Sequence, residues 1–268
     1  MDSQSRTLKM ILIAGYAFLY IPLLVIVIFS FNEARLITSW TGFSLKWYRE
    51  LFSDTVMLRA TLTSFQIATI AATIAVILGT LAAVTLVRFP HFRGRTLFIG
   101  LAAAPLVMPD IITGLSLLLL FVGLHHLTGW PESRDAVTVT IAHTTLAISY
   151  VTAVVQARLV EFDRSLEEAA LDLGASPLKV FFSITLPLIA PAIVTGWLFA
   201  FALSLDDVVI ASFVAGPGAT TLPMVIFSSL RFGISPEINA LTTILILFLS
   251  LSMVIATIIM RKTQRPAS

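Results

Sequence analysis

Over most of this chain apolar residues neither alternate nor recur on one face of short segments; they come in long runs. Six runs stand out, roughly Met10–Phe31, Ala60–Val87, Leu97–Gly123, Ala136–Ala157, Leu188–Val214 and Ala240–Met260. A helix needs ~20 mostly apolar residues to cross a hydrocarbon core of ~30 Å, and each run reaches that length. No water reaches that core, so the backbone of each run must satisfy its own polar groups, which a helix does. The pattern predicts an all-α polytopic membrane protein with six transmembrane helices. The first run follows Arg6 and Lys9, as a signal peptide would. It is longer than the ~7–15 residues of a signal core and no small-x-small cleavage pattern follows it, so it reads as an uncleaved span.

Composition agrees with the pattern and excludes other classes. Of 268 residues, 57% are hydrophobic and 12% are charged, against ~25% charged in ordinary globular domains. The mean hydropathy is +0.97. Too few polar side chains exist to coat a cytosolic enzyme. The absence of cysteine removes disulfides, thiolate metal sites and cysteine nucleophiles. A net charge of +2 is too small to suggest nucleic acid. Neither a soluble domain nor an internal repeat is visible, and residues 1–268 read as a single transmembrane domain.

The placement of the basic residues predicts orientation. With both termini in the cytoplasm, eleven fall inside: Arg6, Lys9, Arg88, Arg93, Arg95, Arg158, Arg164, Lys179, Arg261, Lys262 and Arg265. Six fall outside: Arg35, Lys46, Arg49, Arg59, Arg134 and Arg231. The outer loop Asn32–Arg59 mixes Trp40, Trp47 and Tyr48 with charged residues, and is expected to hold a short helix lying at the outer interface, as a membrane-surface anchor rather than a docking surface. A second outer segment, Ala215–Asn239, opens with Gly216-Pro217-Gly218 and is expected to hold a short helix.

The inner loop of residues 158–187 is the most informative stretch. Ser165 followed by Glu168 has the spacing of a capping box. Leu166, Ala169, Ala170 and Leu173 then form an apolar stripe, with Glu167 and Asp172 on other faces. Gly174 supplies a left-handed stop, and Ser176-Pro177 restarts a helix with serine as N-cap and proline in the first turn. The expectation is two short helices joined by a tight turn. From Arg158 to Ser183 there are three basic and five acidic residues. That balance repels DNA and disfavours an anionic lipid surface, leaving a cytoplasmic protein as the partner.

Glu168-Ala169-Ala170, three residues, Gly174, nine residues, then Ile184-x-Leu186-Pro187 resembles the EAA signature of ABC-importer permease subunits. The resemblance implies a type I ABC importer permease-like fold in a bacterial inner membrane. It implies that Ser165, Glu168, Ala169, Ala170, Gly174, Pro177, Leu186 and Pro187 couple the chain to its ATPase. Implied partners are a second permease subunit, two cytoplasmic ATPase subunits and a periplasmic substrate-binding protein. The stretches Ala104–Gly114 and Ser204–Pro223 are similar to the polyamine branch, the putrescine and spermidine permeases.

Asp110, Asp206 and Asp207 lie inside predicted spans, where a carboxylate costs ~2.5–3.5 kcal/mol on insertion scales and normally faces a cavity or a partner. No lysine or arginine in a span can pair with them, so a cationic substrate is the natural counter-charge, and the three are the candidate substrate path. Pro105 and Pro109 can break the helix around Asp110. Adjacent residues point ~100° apart, so one of Asp206 and Asp207 is expected to face the path and the other to bond a neighbouring helix or loop. In the competing reading both are structural and cap the following glycine-rich turn.

For Phe199, helix packing is favoured over a cation–π contact, and for His143 a helix contact over a proton relay. His125 and His126 point apart and make a poor chelate. There is no phosphate loop, no zinc spacing and no nucleophile–base motif, so neither catalytic residues, metal nor cofactor is expected. A proton-coupled secondary transporter is the main alternative, though six spans without an inverted repeat is small for one. An intramembrane hydrolase is the remaining class.

Overall fold

The computed structural model describes residues 2–34, 39–230 and 236–263, and among these the regular structure is helical. The parts of the outer-loop readings on residues 35–38 and 231–235, including Arg35 and Arg231, lie outside the described residues, as does Arg265. Among the described residues, five stretches are long and apolar enough to cross a membrane: Leu8–Phe29, Thr55–Arg88, Asp110–Thr128, Ala136–Glu161 and Pro177–Asp206. The run expected as the sixth span, 240–260, falls within a helix at Pro236–Thr263.

Two compact units can be described separately. The first is formed by Met1–Leu58 with Ser228–Ser268. In it α1 (Asp2–Phe29) and α2 (Lys46–Ser53) each pack on the Pro236–Thr263 helix. The connection after α1 is built around Asn32. Its Oδ1 accepts from the Thr41 N–H at 3.0 Å, its Nδ2 donates to the Ser39 carbonyl at 2.7 Å, and its own carbonyl accepts from Trp47 Nε1 at 2.7 Å. Trp47 is therefore a buried strut, which corrects its expected role as a surface anchor; Trp40 is half exposed.

The second unit, Arg59–Phe227, carries most of α3 (Thr55–Arg88) and the helices that follow. These are α4 (Arg95–Val107), α5 (Asp110–Thr128), α6 (Ala136–Glu161), α7 (Ser165–Asp172), α8 (Pro177–Val180), a π-turn at Phe181–Thr185, α9 (Leu186–Asp206) and α10 (Val209–Val214). A further helix, α11 (Leu222–Leu230), lies inside the predicted outer segment and α12 is the Pro236–Thr263 helix. The core of this unit joins α3, α6 and α9 through Ala72, Ala75, Val151, Val155, Ile189 and Ala200. Small side chains on α3 let helices approach closely, which is how membrane helices gain packing without a hydrophobic drive.

Two expected spans are each split. The run 97–123 is two helices, because α4 ends at Val107 and Met108 and Pro109 are extended, with ψ of 135° and 140°. Proline lacks an N–H and disfavours a helical residue before it, so the break falls where Pro109 puts it. Pro105 stays inside α4. The run 188–214 breaks at Asp207, whose ψ is 123°, and resumes as α10. Upstream, the π-turn leads into Pro187 at the start of α9, a wider winding that tolerates a residue without an N–H.

Candidate functional site

Both candidate regions lie in the second unit. The first is the pair of helix breaks. Asp207 occupies the α9–α10 break, where Oδ1 accepts from the Ile210 N–H at 3.2 Å and Oδ2 from the Ala211 N–H at 2.8 Å. The carboxylate thus satisfies amides that α10 cannot pair within its own first turn. The same Oδ2 lies 3.0 Å from His143 Nε2, and His143 Nδ1 lies 2.6 Å from Ser204 Oγ. His143 is 2% exposed and comes from the third turn of α6, so this chain of polar contacts fastens α6 to the end of α9. That fulfils the helix-contact reading of His143.

Asp206 and Asp110 are placed differently. Asp206 is the last residue of α9 and Asp110 the first of α5, and both are exposed. Asp206 directly precedes Asp207 at the break, and the close packing of α5 on α10 at Gly114 brings the start of α5 toward the same break. The structure therefore gathers the three predicted acids at adjoining helix ends, with one consumed by internal bonds and two open. Gly114 holds these ends together: a Cβ there would stand 2.7 Å from the Phe213 ring and 3.2 Å from Ile210 Cα, so α5 and α10 touch. Phe199 packs on Tyr150 with ring centroids 5.3 Å apart, as packing predicted. His125 Nδ1 lies 2.8 Å from the Pro131 carbonyl and does not join His126 in a chelate. Ser204 was missed in sequence; its position three residues before Asp207, one turn back on α9, is the signal that could have found it.

The second region is the hairpin of α7 and α8. Gly174 has φ of +84° and ends α7 by donating to the Leu171 carbonyl at 2.9 Å, while the Ala175 N–H reaches the Ala170 carbonyl at 3.0 Å. Ser176 Oγ accepts from the Lys179 N–H at 3.4 Å and Pro177 begins α8, as expected. The start of α7 differs from expectation. No Ser165–Glu168 capping box forms; Asp163 Oδ1 accepts from the Ser165 N–H at 3.0 Å instead. Hydrogen bonds from Ser165 hold the Asp163 carboxyl below its ordinary range. A capping box does form at α6, between Asp135 and Thr138.

The apolar stripe of α7 faces outward, as one meant for a partner's groove would, but the face packed inward carries Glu167. Leu166 and Leu173 of the expected apolar stripe are 52% and 90% exposed, Glu168 and Ala169 are exposed, and Glu167 is the buried residue of the helix. Glu167 Oε1 accepts from Arg88 Nη2 at 2.6 Å and from Thr185 Oγ1 at 2.6 Å. Periodicity could not reveal this, since a glutamate on an apolar helix ordinarily marks the solvated side. The partner that reverses it is 79 residues away.

Residues 75–265 match the family of binding-protein-dependent transport system inner membrane components. The chain belongs to that family. It is similar to the putrescine transport system permease protein PotI of Escherichia coli strain K12, at 61% identity over 88% of this chain and 84% of that protein. It is also 42% identical to the spermidine/putrescine transport system permease protein PotC of Haemophilus influenzae, over 93% of this chain and 94% of the relative. Among solved structures, a chain of a bacterial ABC transporter that imports the acidic polysaccharide alginate superposes with a TM-score of 0.68, at 14% identity, covering 97% of this chain and 98% of that one. A chain of the MetNI methionine ABC transporter superposes at 0.58, with 16% identity over 78% of this chain and 96% of its own. As a member of the transport-system family, the chain is a multi-pass membrane component of an importer.

Proposed function

We propose that this chain is one permease subunit of an ATP-driven polyamine importer, most simply for putrescine. The carrying observation is the 61% identity to a putrescine permease along 88% of the chain. The two open carboxylates support it, because a diamine offers an ammonium group at each end and each ammonium seeks anionic acceptors. In this reading Asp110 and Asp206 meet the substrate as it passes, while Asp207 stays with His143 and shapes the break. A second permease subunit completes the path and a binding protein delivers substrate from outside. Two ATPase subunits dock on the α7–α8 hairpin, through Glu168, Ala169, Ala170 and the turn at Gly174; both chain ends lie in the cytoplasm. Ser165, Pro177, Leu186 and Pro187 shape the hairpin and its entry into α9.

The test is uptake by the reconstituted complex across putrescine, spermidine, sulfate and a sugar, with ATP and then with a protonophore. ATP-dependent uptake of the amines alone is expected. Uptake that survives ATP depletion and collapses with the protonophore would replace this reading with a proton-coupled carrier.

A further inference from the structure

Arg88 is the last residue of α3, Glu167 is the buried residue of α7, and Thr185 closes the π-turn that feeds α9. One carboxylate oxygen, Glu167 Oε1, receives both others at 2.6 Å. The ion pair is largely shielded, with 13% of the arginine side chain and 11% of the glutamate exposed. The Phe162 ring lies 5.9 Å from the guanidinium carbon, and Arg88 Nη1 is buried without a hydrogen-bond partner. A two-oxygen fork would lock the arginine and carboxylate planes together. A single shared oxygen fixes position and leaves rotation free.

We propose that Arg88, Glu167 and Thr185 form a swivel joint that transmits displacement of the α7–α8 hairpin to α3 and α9 together. This rests on the transport reading above and adds to it the residues that carry force. Apart from half-buried Ala170, the other residues of α7 are exposed, so a partner pulling on its outer face moves Glu167, and Glu167 draws on the ends of two long helices at once. Arg88 sits at a helix C-terminus, where its positive charge is favoured by the helix dipole and held in register with the helix axis. Glu167 and Arg88 are positioning residues with no contact to substrate.

The decisive variant is Arg88→Met/Glu167→Met. Removing one partner strands a buried charge and can unfold the site, whereas replacing both with apolar groups is commonly tolerated. In the reconstituted complex with its ATPase and binding protein, this variant should assemble and hydrolyse ATP within about twofold of the parent, while putrescine taken up per ATP falls about tenfold. Glu167→Gln keeps the acceptor and the length, and should fall less. An unchanged uptake-to-ATP ratio in the double variant overturns the joint, as does a loss of uptake that only follows a loss of ATPase activity.

A second arm is independent of which solute is carried. The chain has no cysteine, so Phe89→Cys and exposed Leu166→Cys can carry spin labels immediately beside the two sides of the pivot, where rotation of α7 about Glu167 moves them least. In the assembled complex their separation should stay within about 2 Å on adding nucleotide in the parent, and broaden in the double methionine variant. A parent separation that changes with nucleotide overturns the joint even if putrescine is transported. Absence of putrescine uptake alongside a constant separation overturns the substrate reading alone.

Discussion

Asp206 and Asp207 are chemically identical neighbours given opposite tasks by the backbone between them. The turn at Asp207 aims its carboxylate at the α10 amides and His143, while Asp206 stays on the exposed end of α9. Their variants should therefore fail in different ways. Asp206→Asn should leave the melting temperature of the purified complex unchanged and lower putrescine uptake about tenfold, the effect of one lost charge-assisted contact. Asp207→Asn should lower stability first, and His143→Phe more so, by about 1.5–3 kcal/mol, because Asn cannot match the carboxylate's bonds to His143 and the α10 amides, and Phe removes both hydrogen bonds of His143 at once. Thermal melting paired with uptake reads the difference; the same loss of melting temperature in Asp206→Asn and Asp207→Asn would show that the split is wrong. The sequence told us that one of the pair would bond a neighbour. It could not say which, since that depends on where the helix ends, and α9 ends between them.

At the scale of elements, the rules that worked were local and the ones that failed were tertiary. Gly174, Ser176 and Pro177 behave as their chemistry dictates, because a left-handed stop and a serine–proline start need only adjacent backbone. With φ at +84°, Gly174 can be replaced only by accepting strain. Gly174→Val should loosen the hairpin turn and cut ATPase co-purification several-fold, while Gly15→Val on exposed α1 should leave it unchanged; equal recovery in both variants would refute the importance of the turn. The Ser165–Glu168 capping box was equally local in its logic, yet Asp163 took the Ser165 amide first. The breaks in spans three and five were half legible. Pro109 announces the first. Nothing announces the second except Asp207, which ends a helix here by being bonded from outside it. The role of Glu167 was illegible, because α3 and α7 meet only in the fold.

For the molecule as a whole, hydropathy was sufficient for class. Long apolar stretches on the described helices carry exposed leucine, isoleucine and phenylalanine such as Phe18, 80% exposed, as a lipid- or partner-facing surface requires. The charge distribution then predicts cytoplasmic ends and a cytoplasmic hairpin. Single cysteines at Leu173 and Gly129 should report this in intact cells: a membrane-impermeant thiol reagent should label Gly129→Cys from outside and reach Leu173→Cys only after the cells are opened. The reverse pattern would invert the orientation and put the hairpin beyond reach of any ATPase.

The capture of Asp207 by His143 and the α10 amides has a practical consequence for re-engineering selectivity. On the proposed reading of the substrate path, attempts to retune it toward singly charged or neutral cargo have two adjustable anions rather than three. On that reading, exchanging Asp110 or Asp206 for an amide or alcohol should weaken doubly charged cargo while leaving the helix break intact. The third must be left alone, because changing it would alter the shape of the passage along with its taste for amines.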